Sequence, residues 1–90
     1  MSTSKIKEQR IQLAKFVSQN LLFRNSADEL FEYINKIEPN NIIIDFNKVQ
    51  SITRAFTHQY LLNKKKSKKK ITDINISPHV QNMFEIITSS

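Results

Sequence analysis

The chain has 90 residues, 39% hydrophobic and 24% charged, with a net charge of +6, a size and balance that predict one small globular domain. Cysteine is absent, which excludes disulfides, thiolate nucleophiles and cysteine-containing zinc sites. Glycine is also absent, which excludes the phosphate-cradling loops that need it and disfavours tight hairpins, so strands are expected to be joined through helices.

From the N-terminus, residues 1–8 are polar and are expected to be a flexible lead-in. They contain no apolar stretch of the secretory-signal kind, and no run of the chain approaches a membrane span, which predicts a soluble cytoplasmic protein. Ile11, Leu13, Phe16 and Val17 fit either a strand or a helix by period, and a short strand over 9–14 is expected. Leu21, Leu22 and Phe23 form a compact apolar run that could add a further short strand. Ser26-Ala27-Asp28-Glu29 has the form of a capping box and is expected to open a helix. Ala27, Leu30, Phe31, Ile34 and Ile37 lie on one face of that helix, and Pro39 ends it.

Ile42-Ile43-Ile44 followed by Phe46 predicts a central strand buried on both faces. A second helix is expected from Thr53 to about Lys64, with Ile52, Ala55, Phe56, Tyr60 and Leu62 inward and Leu61 exposed on the opposite side. Lys64, Lys65, Lys66, Lys68, Lys69 and Lys70 surround Ser67 in a basic segment expected to be a solvated loop. Ile71, Ile74 and Ile76 predict a last strand, and Ser77 with Pro78 opens a third helix buried through Val80, Met83, Phe84 and Ile87. The elements read β-α-β-α-β-α, an α/β fold.

Two stretches carry a resemblance. Ile-Ile-Ile-Asp45-Phe46-Asn-Lys-Val49-Gln-Ser-Ile52-Thr-Arg-Ala-Phe56, then a basic loop and Ile74-Asn75-Ile76-Ser77-Pro78, is similar to the STAS-like family of unknown function, related to anti-sigma factor antagonists. The similarity spans roughly residues 9 to 88. It implies a small α/β sandwich in which helices cover a mixed sheet, and a noncatalytic, regulatory protein-interaction role. In antagonists of this kind the loop and helix after the Asp-containing strand face a kinase-like ATPase, and a serine at that helix start is phosphorylated. Here Thr53 stands at the acidic position and Arg54-Ala55 where the serines would be, so the phosphorylation switch is not expected. Capping of the helix by Thr53 or Ser51 is the favoured reading of the remaining hydroxyls.

The resemblance points to a partner surface made by Ser51, Thr53, Arg54, Thr57, His58 and Leu61. His58 and His79 have no second histidine three or four residues away, so no metal, cofactor or catalytic centre is expected. Asp45 is read as capping its own turn rather than binding a ligand. The six lysines hold the whole net charge, since the other eight Lys and Arg match the eight Asp and Glu. They supply the alternative function, nonspecific nucleic-acid binding, for they attract phosphate but contain no arginine or aromatic to read or stack bases.

Overall fold

A computed structural model describes residues 7–89. In chain order the elements are β1 (Glu8–Gln12), α1 (Leu13–Phe16), β2 (Asn20–Leu21), α2 (Arg24–Lys36), β3 (Asn41–Asp45), β4 (Ser51–Ile52), α3 (Arg54–Lys66), β5 (Lys70–Ile74) and α4 (Pro78–Thr88). The main sheet has order β1-β3-β5. Its pairings are parallel, with Ile11 opposite Ile44 and Ile42 opposite Ile71. The α/β class and the principal β-α-β-α-β-α order are those expected, although every recorded pairing is parallel where the resemblance implied a mixed sheet. The expected lead-in over 1–8 lies mostly outside the described residues, and Glu8 already belongs to β1.

Strand order explains the layering. The chain crosses the sheet in one direction, β1 to β3 to β5, and right-handed crossovers then place α2 and α3 on the same face. That face carries Ile11, Ile42 and Ile44, all buried. The other face presents Glu8, Arg10, Asn41, Lys70 and Thr72 to solvent, with Ile43 and Ile74 half-buried between them. The isoleucine strand is therefore central, as expected, but only one of its faces is dry. Its middle residue, Ile43, points to the open side.

The helices fill the covered face with an aromatic cluster around Tyr60. Its ring lies 5.5 Å from Phe31, 5.8 Å from Phe46, 6.0 Å from Phe56 and 6.2 Å from Phe84, spacings at which ring edges and faces attract. Around it Leu13, Leu21, Ala27, Leu30 and Ile34 have no exposed surface. Each fully buried leucine or isoleucine contributes about 1.5–3 kcal/mol relative to an exposed one. The predicted inner face of α2 is the observed one.

Helix starts divide into two kinds. Ser77 caps α4 by accepting from the Val80 N–H at 3.3 Å, with Pro78 at the first position, and Thr53 caps α3 by accepting from the Phe56 N–H at 3.1 Å. Helix α2 departs from expectation. It starts at Arg24, before the capping box, with Phe23 in the cap position and no side-chain bond to the free amides. Ser26 is inside the first turn, its N–H donating to the Phe23 carbonyl at 3.1 Å. Strand β2 sets this start, because its pairing with β4 delivers the chain at that point.

Without glycine, the left-handed backbone positions fall to Lys48 (φ 69°) and Asn75 (φ 57°). Asparagine tolerates this region well and lysine does not. Asp45 supports both neighbourhoods: its Oδ1 accepts from the Asn47 N–H at 2.9 Å and the Asn75 side-chain amide at 2.8 Å. Among the described residues no helix is long and apolar enough to cross a membrane.

Candidate protein-docking surface

The two-residue ladder between β2 and β4 builds this surface. Asn20 pairs with Ser51 and Leu21 with Ile52, in parallel. Helices α2 and α3 begin within three residues of that ladder, so their N-terminal ends emerge side by side. The join is held by the Thr53 N–H donating to the Leu21 carbonyl at 3.0 Å and the Thr53 hydroxyl donating to the Leu22 carbonyl at 2.8 Å.

Between the two helix starts lies a hollow of about 410 Å³ lined by Arg24, Arg54, Ala55, His58 and Ile87. Arg24 and Arg54 are the first residues of α2 and α3, and neither helix has an acidic residue in its first turn. Among the described residues the ion pairs are Arg10 with Asp45 and Lys64 with Asp73, so both arginines lining the hollow are without an acidic partner. Beside them Leu22 is 42% and Phe23 68% exposed. Cationic side chains at a helix N-terminus oppose the macrodipole at a cost of about 0.3–1 kcal/mol each. The dipoles of α2 and α3 therefore do not account for either arginine, while Ile87 in the same hollow brings the last turn of α4, an end that favours positive charge, close to them.

The six residues expected to form the partner surface separate. Arg54 and His58 are exposed and share the hollow. Ser51 and Thr53 are half-buried outside its lining, the Ser51 hydroxyl donating to Asn20 Oδ1 at 2.7 Å in the β2–β4 ladder and Thr53 acting as the cap of α3. Thr57 and Leu61 do not belong to it. Thr57 is fully buried, its hydroxyl donating to the Thr53 carbonyl at 2.8 Å, and Leu61 packs half-buried against the core. The outward leucine is Leu62, at 38% exposure. Burial of Thr57 turns α3 from the expected orientation, and its satisfied hydroxyl removes the penalty of placing a polar residue inward.

Sequence reasoning missed Leu22, Phe23 and Arg24. The one available signal was the Leu21-Leu22-Phe23 run, of which only Leu21 is buried.

The lysine segment is not a loop. Lys64, Lys65 and Lys66 form the last turn of α3, where positive charge favours the helix dipole, and Lys70 begins β5. Lys64 Nζ lies 2.6 Å from Asp73 Oδ2, while Tyr60 donates its hydroxyl to Asp73 Oδ1. Burial, reinforced by the Asp73 charge and this bond, pushes the Tyr60 hydroxyl well above its ordinary pKa. Lys69 Nζ donates to the carbonyls of Ile37 and Pro39, fastening the segment beyond the end of α2. Lys65, Lys66, Lys68 and Lys70 remain exposed. The expected solvated, mobile turn is thus corrected to a helix end and strand start with two structural lysines.

Asp45 is nearly fully buried at the C-terminal end of β3. Burial alone would raise its carboxyl pKa. The bonds from Asn75, from Arg10 at 2.8 Å and from the Asn47 N–H outweigh that and hold it at about 2. All of its recorded bonds serve the fold, in agreement with the turn-capping reading. Another hollow, about 440 Å³, runs along β1 between Gln9, Lys15, Phe16 and Tyr33. It contains none of the expected site residues. His79 is exposed at the start of α4, and no group of three His, Cys, Asp or Glu is gathered to hold a metal among the described residues. No family model, curated protein or solved structure matches the chain.

Proposed function

We propose that the protein is a noncatalytic, cytoplasmic STAS-like interaction module, of a regulatory kind, that docks a protein partner through the paired starts of α2 and α3. The observation that carries this reading is the unpaired Arg24 and Arg54 beside the exposed Phe23. An aromatic anchor flanked by arginines has the composition of an interface hot spot, and the two positive charges favour an acidic partner face. The family resemblance names a kinase-like ATPase as the class of partner. Phe23 takes the place of Leu61, the apolar residue expected in the partner surface, as its exposed apolar contact.

The test is affinity capture from native lysate with quantitative mass spectrometry, comparing the parent with Phe23→Ser. Proteins retained by the parent and lost by a folded Phe23→Ser chain support the reading. The same proteins retained by both would remove it.

A second reading, nonspecific nucleic-acid binding, has its own support in Lys65, Lys66, Lys68 and Lys70, exposed and without ion-pair partners at the far end of α3. It predicts DNA affinity that falls steeply with salt and disappears when those four lysines become glutamine.

A further inference from the structure

We infer that the hollow between Arg24 and Arg54 binds a phosphate monoester, and that the source of this group is a phosphorylated serine or threonine side chain of the docked partner. The inference rests on the docking reading and names the chemistry of its central contact.

Charge balance separates phosphate from carboxylate. Two guanidinium groups line the hollow, and its described lining residues include no Asp or Glu. A partner carboxylate brings one negative charge and leaves the second arginine unmatched. A phosphorylated side chain brings about −1.5 to −2 and three acceptor oxygens, enough for both guanidinium forks. His58, one turn on from Arg54 along α3, also lines the hollow and carries a ring N–H that a phosphate oxygen can accept from.

Backbone geometry agrees with that assignment. The first amides of a helix have no intrahelical acceptor. In α3, Thr53 satisfies the Phe56 N–H, while Arg54 and Ala55, both lining the hollow, precede it. In α2 the cap position offers no side-chain acceptor at all. Arg24, Arg54 and Ala55, which line the hollow, therefore lie at helix positions whose N–H groups have no intrahelical acceptor.

A free nucleotide fits less well. Among the described lining residues there is no Phe, Tyr or Trp, and the His58 imidazole is the one ring on which a base could stack. The exposed Leu22 and Phe23 offer instead an apolar strip adjoining Arg24, suited to the residues that flank a phosphorylated position in a peptide.

The experiment is a two-dimensional amide NMR titration of the full chain with N-acetyl-O-phosphoserine amide, run beside N-acetylglutamate amide, AMP and sodium chloride at matched ionic strength. The expected result is saturable shifts at the amides of Arg24, Asn25, Arg54 and Ala55, with a Kd on the order of 1 mM for so small a probe. Glutamate binds about tenfold more weakly, and Arg24→Gln or Arg54→Gln, each dispersed like the parent, loses the shifts. Equal response to the glutamate probe, stronger binding of AMP, or shifts centred on residues 65–70 would overturn the inference. An unshifted spectrum, while Phe23-dependent capture of a partner persists, would overturn it alone and leave the docking reading standing. Phosphoserine binding with Phe23-independent capture would do the reverse.

Discussion

The two ends of α3 carry positive charge under opposite physical conditions. At its C-terminal end Lys64, Lys65 and Lys66 sit where the helix dipole favours them, and Lys64 is further paired with Asp73 beneath the aromatic cluster. At its N-terminal end Arg54, with Arg24 beside it, sits where the dipole opposes it and no acid compensates. The helix has 13 residues, so the ends are roughly 20 Å apart. That is beyond the Debye length of about 8 Å at physiological salt, and the two clusters act independently. Charge at the first end is largely accounted for by folding. Charge at the second has no acidic partner among the described residues, and the docking proposed above assigns it to a partner's acidic face.

The strongest challenge to this contrast is Asp73→Ala. It leaves the buried Tyr60 hydroxyl unsatisfied and removes the partner of Lys64, a combined cost of about 3 kcal/mol. Thermal denaturation should show Tm falling by more than about 10 °C. An unchanged Tm would mean that the lysine end is not structural.

Acid titration probes a third place, remote from both ends. Asp45 has a folded pKa of about 2 against an ordinary value of 3.8, so its contribution is present above about pH 4 and is lost as pH falls through 2. The loss amounts to about 2 kcal/mol, read as a falling urea midpoint between pH 4 and pH 2. In Asp45→Asn that part of the pH dependence should disappear.

Leu61→Asp marks where the core boundary lies along α3. Because Leu61 packs against the core, the substitution should cost about 1.5 kcal/mol, whereas Leu62→Asp on the outer side should cost less than about 0.5 kcal/mol. The reverse order in a pair of urea melts would restore the helix orientation expected from the sequence.

The smallest effect is a gain. Arg24→Glu and Arg54→Glu place the favoured charge at two helix starts and should each stabilise by about 0.5 kcal/mol at low salt. A loss of stability would show that the arginines have partners within the fold.

These contrasts also show which parts of the structure were legible in advance. Features decided within a few residues were: the isoleucine run of β3, the inner face of α2, the Ser77-Pro78 start of α4 and the Thr53 cap of α3. Features decided by distant pairing were not. The Ser26 capping box is overridden by a ladder that joins β2 to β4, 31 residues apart. The lysine segment reads as a solvated run because the acceptors of Lys69, near residues 37–39, are 30 or more residues away. Thr57 looks polar on a helical wheel because nothing in its type reveals that its hydroxyl is satisfied by the Thr53 carbonyl. At the candidate surface, Arg54 and His58 are the two residues named from the sequence that share the hollow. Phe23 and Arg24 are not named from it, since only the β2–β4 pairing brings them beside α3.

Under the proposed docking, the N-terminal end of α3, and not its lysine end, meets the partner. One measurement tests it directly: quantitative capture from the same native lysate by the parent, by Arg24→Glu/Arg54→Glu, and by a chain with Lys65, Lys66, Lys68 and Lys70 changed to glutamine, with nuclease present throughout. The arginine variant, folded and slightly stabilised, should lose the captured protein while the lysine variant retains it in full. Retention by the arginine variant and loss by the lysine variant would contradict it.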